Sequence, residues 1–321
     1  MAEVITREDV AGLIQEAYSG TFYDVVSRQS AVASAFPTVN MGTKTTSLSL
    51  GATDAFAEWV GETAGVDTEK PLSKISWGKK NLVAEEIAVI IAVHENDIDD
   101  ATEDVLSEIA VKGANALAAG LDAAVLFGVN KPATWTSPSL YESATAAGNV
   151  FQAGAGEDDL AGSFLQAAGA LAAEGYDPDT FFANRGLRFR LANLRGTDNA
   201  PIYLPSLSTA PDARDQFAGL AAHWVGGHVR DGEGATLPVW QRELAEGMIV
   251  DPSRVRIGIR QDISVKFLDQ ATPHGIDLAS NDMVALRFKA RYAYALGESV
   301  VEGAERATKS PVAIVTPAAA G

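Results

Sequence analysis

Residues 56–80 read FAEWVGETAGVDTEKPLSKISWGKK. Trp59 and Trp77 stand on either side of a polar centre in which Gly65, Asp67 and Pro71 supply turn chemistry. The flanks alternate as strands do, with Leu48 and Leu50 before the turn and Ile75 and Trp77 after it. This pattern predicts a two-stranded antiparallel ribbon over 43–82. An isolated ribbon of two strands is marginal in water because it buries too little apolar surface. Something must cover it, either the rest of the chain or another subunit.

Working outward, IAVIIAV at 87–93 has the length and β-branched content of a buried strand. HENDIDDATEDVLSEIAVKGANALAAGLDAAVLFG (94–128) follows and is the clearest helix in the chain. Asn96 reads as its N-cap, and Asp97, Asp99, Asp100, Glu103 and Asp104 suit the positive end of the helix dipole. Ile98, Val105, Ile109, Leu117, Leu121 and Val125 recur at helical spacing and form its expected core stripe, and Gly128 is placed to stop it. A helix over 97–127 would be roughly 45 Å long at ~1.5 Å per residue.

Upstream, Val10, Leu13, Ile14 and Tyr18 mark one amphipathic helical pattern, and Phe22, Val25, Val26 and Ala33 mark a second, ended by Pro37. Downstream, 157–175 reads as a helix stopped at Gly175, 177–184 as a short strand and 185–195 as a short helix. An extended loop is expected over 200–219, then a strand over 220–229. The final third is strand-rich at 248–269 and 282–296, and the tail from Lys309 is expected to end disordered. No internal repeat is present.

With 321 residues and 47% hydrophobic content, the chain can bury a substantial core, and its length predicts two domains. Its 42 acidic and 25 basic side chains give a formal charge of −17, which excludes a general basic face for gripping DNA or an anionic membrane. The absence of cysteine removes disulfides, zinc–thiolate sites and thiol nucleophiles, and fits a reducing cytoplasm. MAEVITREDVAGLIQEAY lacks the basic and apolar regions of a signal peptide, and no uninterrupted apolar run of ~18–20 residues predicts a membrane span.

The search for chemistry returns no site. His223 and His228 are five apart, so on one strand they point to opposite faces and are poorly placed to share a metal. Asp97, Asp99 and Glu108 match three positions of a calcium loop, but Ala101 and Thr102 stand where it needs an oxygen ligand and a glycine. GGHVRDGEG (226–234) lacks phosphate-loop spacing and reads as a turn. Any active site would have to rest on carboxylates or lysines, and no set of them stands out. No catalytic residue, cofactor or metal site is assigned.

The order of elements, taken with SAFPTVNM, AEWVGETAGVDTEKPLSKISWGKKNLVAEEIAV and the 94–128 helix, resembles the major capsid proteins of tailed bacteriophages. AAEGYDPDTFFAN, LRGTDNAPIYLP and SRVRIGIRQDISVKFLDQ with NDMVALRFKARYAYAL continue the resemblance across nearly the whole chain. It implies an α+β fold of the Hong Kong 97 type: an N-terminal arm (1–42), an E-loop (43–82), a peripheral domain (83–150 and 255–297) and an axial domain (151–254 and 298–321). Strands 255–268 and 282–296 would join strand 83–93 in the peripheral sheet. Ile202, Tyr203 and Leu204 mark the candidate axial loop within 202–218.

In that reading the ribbon lies across a neighbouring subunit, and Trp59, Glu62, Lys70 and Trp77 make inter-subunit contacts. Salt bridges would join Glu58 and Glu62 to arginines such as Arg287 or Arg291. The resemblance further implies hexamers and pentamers in an icosahedral virion shell, enclosing double-stranded DNA without reading its sequence. Assembly would take place in the host bacterial cytoplasm. Partners would be other copies of the chain, a portal, decoration proteins and a separate scaffolding protein, since the ribbon begins too early to leave room for a fused scaffold. Lys70, Lys74, Lys79, Lys80 and Asn281 are the residue types of the family's isopeptide crosslink, but no catalytic acid stands out, so a non-covalent shell is expected. The alternatives are an encapsulin-type bacterial compartment and, more distantly, a soluble carboxylate-based enzyme.

Overall fold

The computed structural model describes residues 30–51, 77–96, 105–154, 159–193, 216–297 and 309–318. At Ser30 the backbone is extended and the side chain accepts the Ala33 N–H, starting the short helix Ala31–Ala35. The two helical patterns expected from Val10 to Tyr18 and from Phe22 onward lie outside the described residues apart from Ala33. Strand β1 (Thr38–Asn40) follows, then β2 (Thr45–Gly51), β3 (Trp77–Val83) and β4 (Glu85–His94).

The long helix is described over Val105–Phe127. Ile98 and the acids at 97–104 lie outside the described residues. Residues 95–96 are already helical, so Asn96 is not the cap it was expected to be. At the other end Gly128 adopts φ +76 and its N–H bonds the Ala124 carbonyl, as a left-handed stop requires. Val105 opens the described helix, and Ile109, Leu117 and Leu121 are all buried. Residues 108–127 are apolar and long enough to cross a membrane, yet 67% of that window is buried inside the protein, which makes it a core helix.

Beyond it come the helix Leu140–Ala147, β5 (Val150–Gln152), the helix Asp159–Ala173, β6 (Thr180–Asn184) and the helix Arg185–Ala192. Then follow β7 (Gln216–Phe217), β8 (Leu220–Val225), β9 (His228–Arg230), β10 (Thr236–Pro238) and β11 (Gly247–Val250). The last strands are β12 (Val255–Leu268), β13 (Met283–Leu296) and β14 (Val312–Thr316).

Two sheets organise these elements. The first has the order β1-β12-β13-β4, so the three strands expected to share a sheet do so. β4 is its edge, and its burial alternates residue by residue. Ile87, Val89, Ile91 and Val93 pack on the core while Ala88, Ile90 and Ala92 point outward. IAVIIAV is therefore a half-buried edge strand rather than a fully buried one. The long helix covers the inner face. A Cβ at Gly113 would stand 2.6 Å from the ring of Phe288 on β13, so only glycine lets helix and sheet approach this closely.

The second sheet has the order β5-β14-β11-β6-β8-β7. Both its faces are covered, which explains the unbroken burial of β11 and most of β6 and β14. Phe182, Met248, Val250, Val312 and Ile314 join the long helix in one core. Phe181, Ala183, Ile249, Ala313 and Val315 face the helices Asp159–Ala173 and Arg185–Ala192 in a second core. Since residues of both sheets meet in the first core, the two expected domains are continuous inside.

Within the tail from Lys309, β14 is a buried interior strand that was not expected, because VAIVT is β-branched and finds partners on both edges, while residues 319–321 lie outside the described residues. Residues 216–217, placed in a loop from sequence, form β7 with Phe217 buried. The strand expected over 220–229 is two strands in different sheets, broken at Gly226 and Gly227, where Gly227 has φ +103.

Candidate assembly interface

Over the described residues the two strands of the expected ribbon are present and paired. β2 and β3 pair in register from Thr45↔Val83 to Gly51↔Trp77, and form a two-stranded sheet of their own. Among the described residues the packing is at the root: Leu82 and Ala84 are buried with Met41, Ala293 and Ala295, and Leu48 lies against them. Ala84 N–H donates to the Lys44 carbonyl, and the Lys44 ammonium pairs with Glu85 at 3.3 Å. Above the root the ribbon turns polar, with Ser47 Oγ donating to Asn81 Oδ1 and Lys79 exposed. Trp59, Glu62, Lys70 and Lys74 lie outside the described residues, as do Ile202, Tyr203 and Leu204. Of Trp77, the backbone pairing is described. Asn281 sits in the β12–β13 connection, donating to the Asp277 carbonyl at 2.6 Å.

The root is reinforced from below. Trp135 Nε1–H donates to the Val83 carbonyl at 3.0 Å, and Thr134 Oγ1 donates to Glu85 at 3.0 Å. A cavity of about 220 Å³ lies beside it, lined by Ile87, Leu121, Ala124, Trp135, Val229 and Tyr292. Its lining is mainly apolar. Of its polar lining residues, Glu85 and Glu86 are held by cations and Asn130 Nδ2 donates to the Arg230 carbonyl, an arrangement that supplies no nucleophile–base pair.

The segment from Ser30 is joined to the rest of the chain by β1 pairing with β12, by Val32 and Phe36 in the core, and by one buried carboxylate. Asp122, on the long helix, accepts hydrogen bonds from Ser30 Oγ–H (2.7 Å), Ala31 N–H (3.0 Å) and Val32 N–H (3.1 Å). Burial pushes its pKa up to about 6, against the pull of those three donors. Sequence reading overlooked Asp122, because an acid among alanines in a helix gives no sign that it caps a distant segment. Beside it, His223 is buried at 5.4 Å from the Phe182 ring, with Nδ1 3.2 Å from Ser34 Oγ, while His228 is exposed on another sheet. The two histidines are not brought together.

Two surfaces stand out. Phe189 is 73% exposed on the helix Arg185–Ala192, between Arg188 and Arg190; Arg190 reaches the buried Glu246 at 2.9 Å. The outward face of the first sheet carries Arg287, Lys289 and Arg291 on β13, with Lys266 on β12 opposite Arg287. Glu86 on β4 binds Lys289 at 2.9 Å and Arg291 at 3.2 Å. The Lys289 hydrogen bond is the main reason the Glu86 pKa lies below the usual carboxylate range.

The described residues thus place a two-stranded ribbon, an N-terminal segment tied to the long helix and a sheet with an edge strand exposed on one side around one core. A family model described as the phage capsid family matches residues 11–299. A solved chain from Mycobacterium phage Adephagia is 43% identical, with a TM-score of 0.72 and 100% of both chains covered. One from Mycobacterium phage Bobi is 45% identical, with a TM-score of 0.72, covering 99% of this chain and 100% of that one. A chain of the capsid of a native GTA particle, at 15% identity and a TM-score of 0.52, covers 90% of each chain and shares the fold. No curated protein matches.

The chain belongs to the phage capsid family and has the Hong Kong 97-like fold. It is a major capsid protein and a virion component, of a family whose members are structural rather than enzymatic.

Proposed function

We propose that this major capsid protein assembles as hexamers and pentamers into an icosahedral shell around packaged double-stranded DNA, with the 43–82 ribbon serving as an E-loop held by a neighbouring subunit. Residues 1–42 act as the arm, 83–150 with 255–297 as the peripheral domain, and 151–254 with 298–321 as the axial domain. The observation that supports this reading is the ribbon itself, two strands paired to each other and, among the described residues, packed at their root. Such an element is marginal alone and gains stability when a partner covers it. The net charge of −17 lets packed DNA move inside the shell without being gripped. Assembly in the host cytoplasm, a separate scaffolding protein, a portal and decoration proteins complete the proposal.

Deleting residues 63–70, or making Trp59→Ala, is expected to leave a folded subunit that assembles poorly, since losing a buried tryptophan costs ~3–5 kcal/mol where it is covered. A Trp59→Ala change that unfolds the isolated subunit would show that the ribbon packs within its own chain. The shell is held without covalent links, so particles boiled in detergent should run as one band near 33.6 kDa. A surviving ladder mapping to Lys70, Lys74, Lys79 or Lys80 would contradict this.

A further inference from the structure

A cavity of about 220 Å³ is left where the long helix, β4, β9 and the 129–135 connection meet. The helix does not stand off the sheet here, since a Cβ at Gly120 would lie 2.7 Å from Ile87 Cδ1. The space arises beside that contact, where Ala123 and Ala124 are too short to reach across to Val229 and Trp135. Protein interiors normally close such gaps, because they pack as densely as organic crystals and leave few voids larger than a water molecule.

The walls decide what suits the space. Ile87, Leu121, Val129, Pro132 and Val229 are aliphatic, and Trp135 and Tyr292 add two rings that are themselves 7% and 6% exposed. The polar groups on the lining have partners of their own. Trp135 Nε1–H donates to the Val83 carbonyl and Asn130 Nδ2 to the Arg230 carbonyl. Glu85 pairs with Lys44, and Glu86 with Lys289 and Arg291. Water in this space would lack the roughly two to four polar partners that hold a buried water. An organic cation would meet only carboxylates that already hold cations. A neutral apolar molecule meets neither obstacle.

Size and access fit the same answer. A dry engineered cavity of ~150 Å³ takes up benzene; at about 220 Å³, this one has room for a ring with a substituent. A wider space of about 640 Å³ adjoins it, sharing Ile87, Gly120, Asn130 and Val229. The residues Ala88, Ala116, His228 and Arg230 of that second space are exposed, so a ligand has a route in from solvent.

We infer that this cavity is a binding site for one small neutral aromatic molecule, of the size of toluene, held between the long helix and β4. Occupancy has a consequence at the base of the ribbon. Trp135 carries the carbonyl of Val83, the last residue of β3, and Glu85 carries Lys44 and Thr134. A ring packed against Trp135 therefore holds the junction of ribbon and sheet in one geometry.

Toluene is the probe. Added to the full-length subunit at roughly ten to a hundred times its Kd, it should raise Tm by about 2–4 °C. It should also slow amide hydrogen exchange within 83–87 and 119–135. Ala124→Leu fills the cavity from the helix side and should abolish toluene binding while the chain stays folded. Val229→Phe fills it from the opposite wall, and decides the matter if leucine at 124 prevents folding. Benzylammonium, the same ring carrying a cation, should bind roughly tenfold or more weakly, because an unpaired charge is costly to bury.

The inference is overturned if toluene near its solubility limit neither shifts Tm nor slows exchange, or if protection falls only in other segments. It is equally overturned if the filled variants bind toluene as the parent does, or if benzylammonium binds as tightly as toluene. Should neither variant fold, the exchange map of the parent chain decides. None of these results depends on the ribbon deletion, so this inference and the E-loop reading fail separately.

Discussion

Replacing Asp122 with alanine is expected to destabilise the subunit by at least ~3 kcal/mol, because three buried donors lose their acceptor at ~1–3 kcal/mol each. Those donors are Ser30 Oγ–H, Ala31 N–H and Val32 N–H, all held by one carboxylate at 2.7–3.1 Å. Asp122→Asn is a sharper probe. An amide keeps one oxygen for Ser30 and Val32 but turns an N–H toward the Ala31 N–H, so it should lose a smaller part of that stability.

The two variants also isolate a pH effect. The folded Asp122 pKa of about 6 lies above the ordinary 3.8. Between those values the folded chain holds a proton that the unfolded chain has released. The contribution of this group is thus fully present below about pH 4 and declines as pH rises to about 6, by roughly 3 kcal/mol in all. Denaturant unfolding of the dissociated subunit from pH 4 to 7 should show this decline in the parent and its loss in Asp122→Asn. Equal pH dependence in both proteins would show that Asp122 is not the group responsible.

Introducing a charge under the long helix should also be severe. Leu117 is 1% exposed, in the core that joins the helix to both sheets. Leu117→Asp would bury a carboxylate with no cation to meet it, at a cost of several kcal/mol, against a total stability of only ~5–15 kcal/mol for a domain. The expected result is insoluble protein, or a soluble form lacking cooperative thermal unfolding. Leu117→Met, which conserves volume, should cost less than ~1.5 kcal/mol and assemble normally. A soluble, assembly-competent Leu117→Asp protein would mean that this stripe faces solvent.

The sequence made legible whatever depends on local periodicity and turn chemistry. The core positions Ile109, Leu117 and Leu121, the stop at Gly128 and the ribbon strands all belong to that kind, whereas the sheet shared by β4, β12 and β13 came from the family resemblance. It failed where tertiary partners decide. VAIVT at 312–316 is short and near the end of the chain, and only its pairing with β11 and β5 makes it an interior strand. IAVIIAV looks buried on both faces because Ala88, Ile90 and Ala92 are apolar, yet β4 is an edge with one face open. For the interface, the ribbon was readable from its alternation and from the lack of a core around it. The Lys266–Arg287 pair was not, because the two residues meet only through strand register. Asp122 was hidden for the same reason, since its partners lie about ninety residues away.

This chain is expected to build a closed shell whose ribbon is covered by other subunits. The most direct measurement is cryo-electron microscopy of particles purified from infected cells, or from coexpression with the scaffolding protein. The predicted result is an icosahedral shell in which density for residues 52–76 lies on a neighbouring subunit, with Glu58 or Glu62 beside Arg287 or Arg291. A shell in which that segment folds back onto its own chain, or a preparation that yields only small soluble oligomers, would contradict the account.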